Sequence, residues 1–119
     1  MHFRQLAIVV KDLEKSISFY ETMAELTISK RFKEGDAELA YMTNDEGATE
    51  IELIQMPQMQ KFEGKGFFVS FKTDKIDEMH ALAKTEGLNP SDIRQPDPQT
   101  RYFYVYDPDG VSVQLRQDY

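Results

Sequence analysis

The polar side chains best suited to chemistry stand in two segments where polar and apolar residues alternate. In residues 49–56, the apolar residues take the core side of a predicted strand and leave Glu52 on the other side. In residues 111–116, the same alternation leaves Gln114 opposite the apolar side. A carboxylate can accept a proton or bind a divalent cation, and an amide oxygen is a neutral ligand for hard cations. The two segments therefore indicate acid–base, metal or polar ligand chemistry.

Other residue types exclude several kinds of site. The chain has no Cys, which excludes disulfides, thiolate metal sites and a Cys nucleophile. Its two histidines, His2 and His80, have no partner pattern typical of catalysis, and we expect structural or surface roles for both. The six glycines are isolated turn residues, so there is no glycine-rich phosphate loop. The sequence also has no local Ser-His-Asp or Cys-His signature.

Size and charge narrow the class of protein. The chain has 119 residues, of which 40% are hydrophobic and 29% are charged, as expected for one globular domain. The net charge of −7 argues against nucleic-acid binding and favours cationic ligands over nucleic acids or phosphates. The longest apolar run, residues 6–10, is far shorter than the roughly 20 residues that span a bilayer. Residues 1–4 lack the layout of a signal peptide, so we expect a cytoplasmic protein without a membrane partner.

The hydrophobic pattern predicts the elements of the first half. A strand at residues 3–10 is followed by the N-cap Asp12 and a helix of about 12 residues with one apolar stripe. The stripe consists of Leu13, Ile17, Tyr20 and Met23 or Ala24. Three further strands are predicted at residues 26–32, 38–42 and 49–56, separated by turns at residues 35–36 and 44–47.

Residues 57–65 break the pattern and are a predicted linker, after which the order of elements repeats. Asp74 is the N-cap candidate of a second helix that ends at Gly87. The predicted inner side of this helix consists of Ile76, Met79, Leu82 or Ala83, and Glu86. The predicted strands are residues 67–72, a short one near Ile93, 101–106 and 111–116. The tight turn before the last strand is Asp107-Pro108-Asp109-Gly110.

The two halves match each other in order. Residues 40–47 align with residues 103–110 at an offset of 63, and the strand after each turn aligns at an offset of 62. Each half is therefore a predicted βαβββ module that cannot bury its helix and sheet faces alone. We predict an α+β fold of two tandem modules. Module one (about 1–56), the linker (about 57–65) and module two (about 66–119) are expected to form one domain over residues 1–119.

Three motifs occur in order along the chain. They are residues 5–20 (QLAIVVKDLEKSISFY), residues 68–77 and the ending DPDGVSVQL at residues 107–115. With these motifs on a duplicated module, the whole chain resembles the vicinal oxygen chelate superfamily, which includes glyoxalase I, bleomycin-resistance proteins and extradiol dioxygenases. The resemblance implies a curled, U-shaped mixed sheet around a cleft, with one helix per module. It also implies a homodimer.

The resemblance further implies four metal-ligand positions, which fall on Gln5, Glu52, Phe68 and Gln114. Metal-dependent relatives have His or Gln, Glu, usually His, and often Glu at these positions. Here Phe68 removes one donor, and Gln114 replaces a carboxylate by an amide. The remaining metal ligands, Gln5, Glu52 and Gln114, form a hard and weak set. We therefore expect no cofactor, and the alternative is a divalent metal ion: Mn²⁺, Ni²⁺, Mg²⁺, Zn²⁺ or Fe²⁺.

A small-molecule ligand is expected to bind in the cleft that the resemblance implies. Most aromatic residues of the second half should pack in the core, but those on the cleft side suit an organic ligand. The predicted ligand-binding residues are Gln5, Glu52, Phe68, Ser70, Tyr104, Gln114 and Arg116. Glu52 is the predicted catalytic residue. If no metal binds, a buried Glu52 needs a partner, for which Lys72 or Arg116 is the nearest candidate type.

Three functions remain open at this point. The first is a glyoxalase/bleomycin-resistance-like protein that binds a small organic molecule in an aromatic cleft and is metal-free or weakly metal-dependent. The second is a divalent-metal-dependent lyase or isomerase of the lactoylglutathione lyase (glyoxalase I) type. The third is an interaction module whose function lies in its dimer surface. Metal analysis distinguishes the first two, and a filled or absent cleft would indicate the third.

Overall fold

The structure is a computed structural model that describes residues 1–45, 47 and 49–119. The chain divides into two compact units, Met1–Glu63 and Gly64–Tyr119, which contain modules one and two. Each unit has one helix and one four-stranded mixed sheet, which confirms the predicted α+β class with two βαβββ modules. The predicted turn at residues 44–47 includes Glu46, which lies outside the described residues.

Module one forms a mixed sheet with its helix packed on one face. Its elements are β1 (Leu6–Val9), α1 (Leu13–Ala24), β2 (Thr27–Glu34), β3 (Ala37–Thr43) and β4 (Glu50–Gln55). The strand order is β1-β4-β3-β2, with β1 parallel to β4 and the other neighbours antiparallel. Helix α1 contacts β3 and β4, so the core of this module lies between the helix and the sheet.

Module two repeats this arrangement. Its elements are β5 (Val69–Lys72), α2 (Ile76–Thr85), β6 (Arg94–Asp97), β7 (Thr100–Tyr106) and β8 (Ser112–Asp118). The strand order is β5-β8-β7-β6, with β5 parallel to β8 and the other neighbours antiparallel. The offset of 63 residues that the sequence predicts relates both ends of β1 to β5 and both ends of β3 to β7.

Strand boundaries differ from the predicted ones by at most three residues, because strand ends depend on pairing as well as on composition. The short strand β6 begins one residue after Ile93. Residues 57–65 lie outside helices and strands. Within the part of the chain that the structure describes, no helix combines the length and the apolar character needed to cross a membrane.

Helix α1 forms as the sequence predicts. Asp12 is its N-cap, and the carboxylate accepts a hydrogen bond from the Lys15 amide at 3.1 Å. This bond satisfies one of the N–H groups that a helix N-terminus leaves unpaired. The predicted stripe is buried and consists of Leu13, Ile17, Tyr20 and Met23, while Ala24 is half-buried.

Helix α2 differs from the prediction at its N-terminus. The prediction that Asp74 is the N-cap is wrong: Lys75 holds that position, and its side chain makes no cap hydrogen bond. Instead, the Ile76 amide donates to Gln117 Oε1 at 3.0 Å. A side chain of strand β8 therefore satisfies the start of the helix, which no local sequence signal indicates.

The C-terminus of α2 confirms one prediction and corrects another. Gly87 follows the C-cap residue with φ +72°, and its amide donates to the Lys84 carbonyl at 3.0 Å. Glu86 is exposed rather than part of the inner side, because the helix ends at Thr85. The buried inner side consists of Ile76, Met79 and Ala83.

A glutamine caps the helix in both modules. In module one, the Leu13 amide donates to Gln55 Oε1 at 2.6 Å, just as Ile76 donates to Gln117 in module two. Gln117 Nε2 also donates to the Asp74 carbonyl at 3.0 Å. Each final strand therefore fixes the start of the helix of its own module.

The buried residues confirm the predicted alternation in β4 and β8. The residues Ile51, Leu53, Val111, Val113 and Leu115 are each at most 2% exposed. Burial of such side chains supplies the main stabilisation, on the order of 1.5–3 kcal/mol for each. The polar residues between them are thereby directed to the opposite face of each sheet.

The Asp107-Pro108-Asp109-Gly110 turn forms as predicted. The Asp107 carboxylate accepts from the amides of Asp109 at 2.8 Å and Val111 at 2.9 Å. The Gly110 amide donates to the Asp107 carbonyl at 3.0 Å. Asp107 is only 5% exposed, so the turn between β7 and β8 is held by a buried carboxylate.

Candidate functional site

The distal face of each module is the face of its sheet that points away from its helix. In module one, Tyr41 on β3 and Glu52 on β4 are register partners, so both side chains lie on this face. Their neighbours Met42, Ile51 and Leu53 are buried on the other face. The distal face of module one therefore carries a phenol and a carboxylate side by side.

Glu52 is a buried carboxylate, with 9% of the residue exposed. Gln5 Nε2 donates to Glu52 Oε1 at 2.7 Å. The Tyr41 hydroxyl forms a second hydrogen bond with the same carboxylate. Both donors are neutral, so they orient the carboxylate without forming an ion pair.

The environment of Tyr41 raises the pKa of its phenol above the ordinary value of 10.0. Desolvation of the half-buried ring is the largest cause, followed by the hydrogen bond to Glu52 and the negative charges of Glu52 and Glu50. Arg4 acts in the opposite direction. Tyr41 therefore holds its proton more tightly than a solvent-exposed tyrosine and donates a hydrogen bond to Glu52.

Charged and aromatic side chains surround this pair. Arg4 and Glu50 form an ion pair at 2.5 Å. The ring of Phe32 stacks on Tyr41 with the ring centroids 6.2 Å apart. Lys30 Nζ lies 5.6 Å from the centroid of the Tyr41 ring, within reach of a cation–π interaction. The Tyr41 ring therefore contacts an aromatic ring and lies near the positive charge of Lys30.

Module two carries a neutral counterpart of this arrangement. Gln114 on β8 is the register partner of Ser70 on β5 and of Tyr104 on β7. Ser70 Oγ donates to Gln114 Oε1 at 2.6 Å, and Gln114 Nε2 donates to the Tyr104 hydroxyl at 3.1 Å. The structure therefore joins three of the predicted ligand-binding residues in one chain of hydrogen bonds.

Aromatic rings lie beside this chain of hydrogen bonds. The rings of Phe68 and Tyr104 meet edge to face with centroids 5.3 Å apart, and Tyr102 meets Tyr104 at 5.7 Å. Phe68 is 49% exposed and so offers apolar surface next to the Tyr104 hydroxyl. Phe103, whose side chain points to the other face, is fully buried as core.

The histidines have the surroundings that the sequence predicts. The ring of His80 is half-buried, meets Phe103 edge to face with centroids 4.9 Å apart, and bonds to the Ser91 carbonyl at 2.8 Å. This is a structural role in module two. His2 lies in the exposed N-terminal segment.

Arg116 lies on the distal face of module two, one rung from Gln114. Its register partner on β5 is Lys72, and its Nε donates to Asp118 Oδ1 at 2.8 Å. Within module one, Gln5 and Tyr41 donate to Glu52, and both are neutral. They differ in charge from Lys72 and Arg116, the partner types that the sequence predicts.

The predicted metal ligands do not fit a tightly bound transition-metal ion. Gln5 and Glu52 bond to each other, and both amide atoms of Gln114 are engaged by protein groups. Phe68 contributes no lone pair, so the donors are one carboxylate and two amides. Across residues 1–45, 47 and 49–119, no three His, Cys, Asp or Glu side chains are grouped so that they could hold a metal ion.

Tyr41 is a site residue that the sequence interpretation missed. A signal for it exists, because Tyr41 and Tyr104 align at the offset of 63 residues. Tyr104 lies on the aromatic side of its strand, and Tyr41 is its counterpart in the first module. The internal duplication is thus a guide to functional residues as well as to the fold.

Comparison with known proteins identifies the family. The model of the Glyoxalase/Bleomycin resistance protein/Dioxygenase superfamily matches residues 2–115 of this chain. The uncharacterized protein YwbC of Bacillus subtilis is 33% identical over 118 residues, and the alignment covers 92% of each chain.

Solved structures share the fold at low identity. A glyoxalase family protein from Bacillus cereus has a TM-score of 0.83 at 22% identity, with 99% of this chain and 94% of that chain covered. A variant of the fosfomycin resistance protein FosX of Listeria monocytogenes, complexed with Mn(II) and 1S,2S-dihydroxypropylphosphonic acid, has a TM-score of 0.78 at 18% identity. That alignment covers 96% of this chain and 90% of that one. The motifs, the duplicated βαβββ modules and the match over nearly the whole length together show that this chain belongs to the Glyoxalase/Bleomycin resistance protein/Dioxygenase superfamily.

Proposed function

We propose that this protein binds a small organic molecule on its distal faces and is metal-free or weakly metal-dependent. The observation that carries the proposal is the buried carboxylate of Glu52, which Gln5 and Tyr41 orient without an ion pair. Burial of a carboxylate that is held by neutral donors costs folding free energy. This supports a functional role for Glu52 over a purely structural one.

The two modules contribute different chemistry to this proposal. In module one, the proposed ligand contacts are Glu52 and Gln5, and Glu52 is the proposed catalytic residue, acting as a general base if the protein is an enzyme. In module two, the proposed ligand contacts are Phe68, Ser70, Tyr104, Gln114 and Arg116. The edge-to-face pair of Phe68 and Tyr104 supports an aromatic or apolar group in the ligand.

A ligand screen with matched variants tests the proposal. Binding of a set of small organic molecules is followed by thermal shift and then by isothermal titration calorimetry. Glu52→Ala and Phe68→Ala are expected to weaken any hit. Phe67→Ala is the matched control, because Phe67 is 46% exposed against 49% for Phe68 but is the next residue along the chain. A hit that is indifferent to both Glu52→Ala and Phe68→Ala would place the site elsewhere and contradict the proposal.

A metal-dependent lyase or isomerase is the second candidate. It is favoured by the likeness in fold to FosX, one structure of which contains Mn(II), and by the donors Gln5 and Glu52 at family positions. Metal content is measured on the purified protein and after dialysis against Mn²⁺, Ni²⁺, Zn²⁺ and Fe²⁺, with a thermal-shift readout. Near-stoichiometric metal, or a thermal shift that Glu52→Ala abolishes, would favour this candidate over the first. No metal and no shift would favour the metal-free binder.

A pair of substitutions tests whether a metal site has been lost. Phe68→His with Gln114→Glu restores the residue types that the family resemblance implies at these positions. We expect strong binding of a transition metal in the double variant and in neither single variant, because Gln114→Glu still lacks a fourth donor and Phe68→His still lacks a second carboxylate. Strong metal binding by the unmodified protein would contradict this expectation.

Assembly and location are parts of the same proposal. We propose a homodimer, which light scattering coupled to size-exclusion chromatography checks through the molar mass. We also propose that residues 1–119 unfold as one domain, for which one cooperative transition by two spectroscopic probes is the test. The cytoplasmic location stays a prediction from the sequence.

A further inference from the structure

Tyr41 and Tyr104 hold equivalent positions in the two modules, but their hydroxyl groups meet opposite partners. Tyr41 meets the carboxylate of Glu52, whereas Tyr104 meets the amide nitrogen of Gln114. A carboxylate accepts hydrogen bonds, and an amide nitrogen can only donate them. From this contrast we propose that the Tyr104 hydroxyl donates a hydrogen bond to the ligand and that the distal face of module two binds an organic carboxylate. The inference rests on the proposed function and names the ligand class for this face.

The distances agree with the direction of the hydrogen bonds in module two. The separation of 2.6 Å between Ser70 Oγ and Gln114 Oε1 is typical of an O–H···O bond. The separation of 3.1 Å between Gln114 Nε2 and the Tyr104 oxygen is typical of an N–H···O bond. Ser70 therefore orients the amide, and the amide makes the Tyr104 oxygen an acceptor. The Tyr104 proton is consequently directed to another partner.

Backbone and ring contacts hold Tyr104 in this position. Its amide donates to Ser91 Oγ at 2.9 Å, and its carbonyl accepts from the Ser91 amide at 3.0 Å. The edges of Phe68 and Tyr102 meet its ring from two neighbouring positions. The direction of the hydroxyl is thus fixed before a ligand arrives, which lowers the entropic cost of binding.

A row of positive charge lies next to the Tyr104 hydroxyl. One rung along the sheet, register pairs join Lys72 on β5 to Arg116 on β8, Arg116 to Tyr102 on β7, and Tyr102 to Arg94 on β6. Register partners on adjacent strands share a face, so these cations stand together on the distal face. This row points to an anion as the acceptor for Tyr104.

Two carboxylates moderate this charge. Asp118 bonds to Arg116 Nε, and Asp118 and Asp97 are both register partners of Thr100 on the following rung. Asp118 and, more weakly, Asp97 raise the pKa of Arg116. Three cations against two carboxylates leave one net positive charge, which matches a singly charged carboxylate better than a doubly charged phosphate.

The positive charge on the distal face of module two is opposite in sign to the net charge of the whole chain. The net charge of −7 favours cationic ligands at long range. Salt screens such long-range attraction over about 8–10 Å, so the groups that touch the ligand decide what binds. The exposed ring of Phe68 adds an apolar contact beside Tyr104. An aromatic or alkyl carboxylate can accept from the Tyr104 hydroxyl, lie next to the positive charges and contact the Phe68 ring.

Three probes with the same ring test the inference: benzoate, benzamide and benzylamine. Binding to the full chain is measured by NMR titration of the backbone amides of module two. We expect benzoate to bind most tightly, benzamide more weakly, and benzylamine not to bind at this face. Tyr104→Phe should weaken benzoate about tenfold or more, since it removes a hydrogen bond to a charged group. Tyr106→Phe, on the same strand and 68% exposed, should leave the affinity unchanged.

Gln114→Glu provides a second variant with a different readout. This substitution places a carboxylate at position 114, equivalent to Glu52 in module one. Tyr104 would then donate its hydrogen bond to this carboxylate and no longer to the ligand. We expect benzoate binding to be lost and benzylamine to bind more tightly than to the unmodified protein. Circular dichroism checks that the variant is folded, and Tyr104→Phe remains the conservative test if it is not.

The outcomes separate this inference from the proposed function. Equal benzoate affinity in the unmodified protein and Tyr104→Phe, no benzoate binding at millimolar concentration, or preferential binding of benzylamine would each overturn the inference. A screening hit that depends on Glu52 and Phe68 but ignores Tyr104→Phe would overturn it while preserving the proposed function. Hits that ignore Glu52 and Phe68 would overturn the proposed function itself.

Discussion

Glu52 on β4 and Gln114 on β8 hold the same register position in their two sheets, and each bonds to a tyrosine on the neighbouring strand. The pairs differ by one atom type, a carboxylate oxygen in module one and an amide nitrogen in module two. This difference reverses the direction of the hydrogen bond at the tyrosine. The two modules thus share their strand register but differ in the hydrogen-bonding chemistry at the tyrosine.

The pKa of Tyr41 should fall when Glu52 is made neutral. Glu52→Gln removes the negative charge but keeps the shape of the side chain, so the pKa is expected to move part of the way towards 10.0. It should not return completely, because desolvation of the ring is the largest cause of the shift. Ultraviolet titration of the phenolate band measures this, and subtraction of the Tyr41→Phe titration assigns the signal. An unchanged pKa in Glu52→Gln would show that Glu52 does not act on Tyr41.

The raised pKa of Tyr41 also makes stability depend on alkaline pH. Between its ordinary value of 10.0 and its higher folded value, the folded protein binds more protons than the unfolded chain. The free energy of unfolding should therefore fall as pH rises through this interval. Urea denaturation at pH 9 and at pH values above 10 measures the slope. Tyr41→Phe should have a shallower slope, and an equal slope in both proteins would argue against this contribution.

Removal of either helix-capping glutamine should destabilise the protein by a similar amount. Gln55→Ala leaves the Leu13 amide without its acceptor, and Gln117→Ala does the same to Ile76. We expect a loss of about 0.5–2 kcal/mol in the free energy of unfolding for each, the range typical of N-cap removal. Urea denaturation gives the values. Gln58→Ala is the matched control, since Gln58 makes only an exposed contact to Asp36 at 3.3 Å and should change stability little.

The Asp77–Arg101 pair should contribute a small stabilisation that is lost in acid. Arg101 binds the Asp77 carboxylate through two hydrogen bonds, of 2.9 and 3.0 Å, and this lowers the pKa of Asp77 below 3.8. The contribution is complete above the ordinary value and disappears as pH falls below it. The Asp77 side chain is 74% exposed, so solvent screening keeps the effect small.

Denaturation midpoints at pH 7 and pH 3 test this pair. Asp77→Asn should lower the midpoint at pH 7 and have less effect at pH 3, where the unmodified carboxyl is closer to its neutral form. Glu78→Gln, which changes the next carboxylate on the exposed first turn of α2, is the control. A loss of equal size at both pH values would show that the charge of Asp77 is not responsible.

The buried turn before β8 should depend on the Asp107 carboxylate. Asp107→Ala leaves the amides of Asp109 and Val111 without acceptors, and we expect a loss of about 1–3 kcal/mol in the free energy of unfolding. Asp107→Asn keeps one acceptor oxygen and should lose less. Thermal and urea denaturation give both values. If the Asn and Ala variants were equally destabilised, the carboxylate would act through its charge rather than through these two bonds.

The order of elements, the duplication and the face on which Glu52 and Gln114 lie can all be read from the amino-acid sequence. These properties follow from short-range rules: the two-residue period of a strand, the spacing of a helix stripe, and the local bonds of caps and turns such as Asp12 and Asp107. Each can be read within a few residues, and the structure confirms them.

The hydrogen-bond partners of these residues, in contrast, depend on how the chain folds. Gln5 lies 47 residues before Glu52, and Ser70 lies 44 residues before Gln114. At the start of α2, the Ile76 amide bonds to Gln117, which lies 41 residues further along the chain, and not to the nearby Asp74. Such contacts depend on strand register and on how a helix packs against the last strand, which local periodicity does not specify. The direction of a single hydrogen bond at Tyr104 is therefore a property of the folded sheet, although every residue that sets it is visible in the sequence.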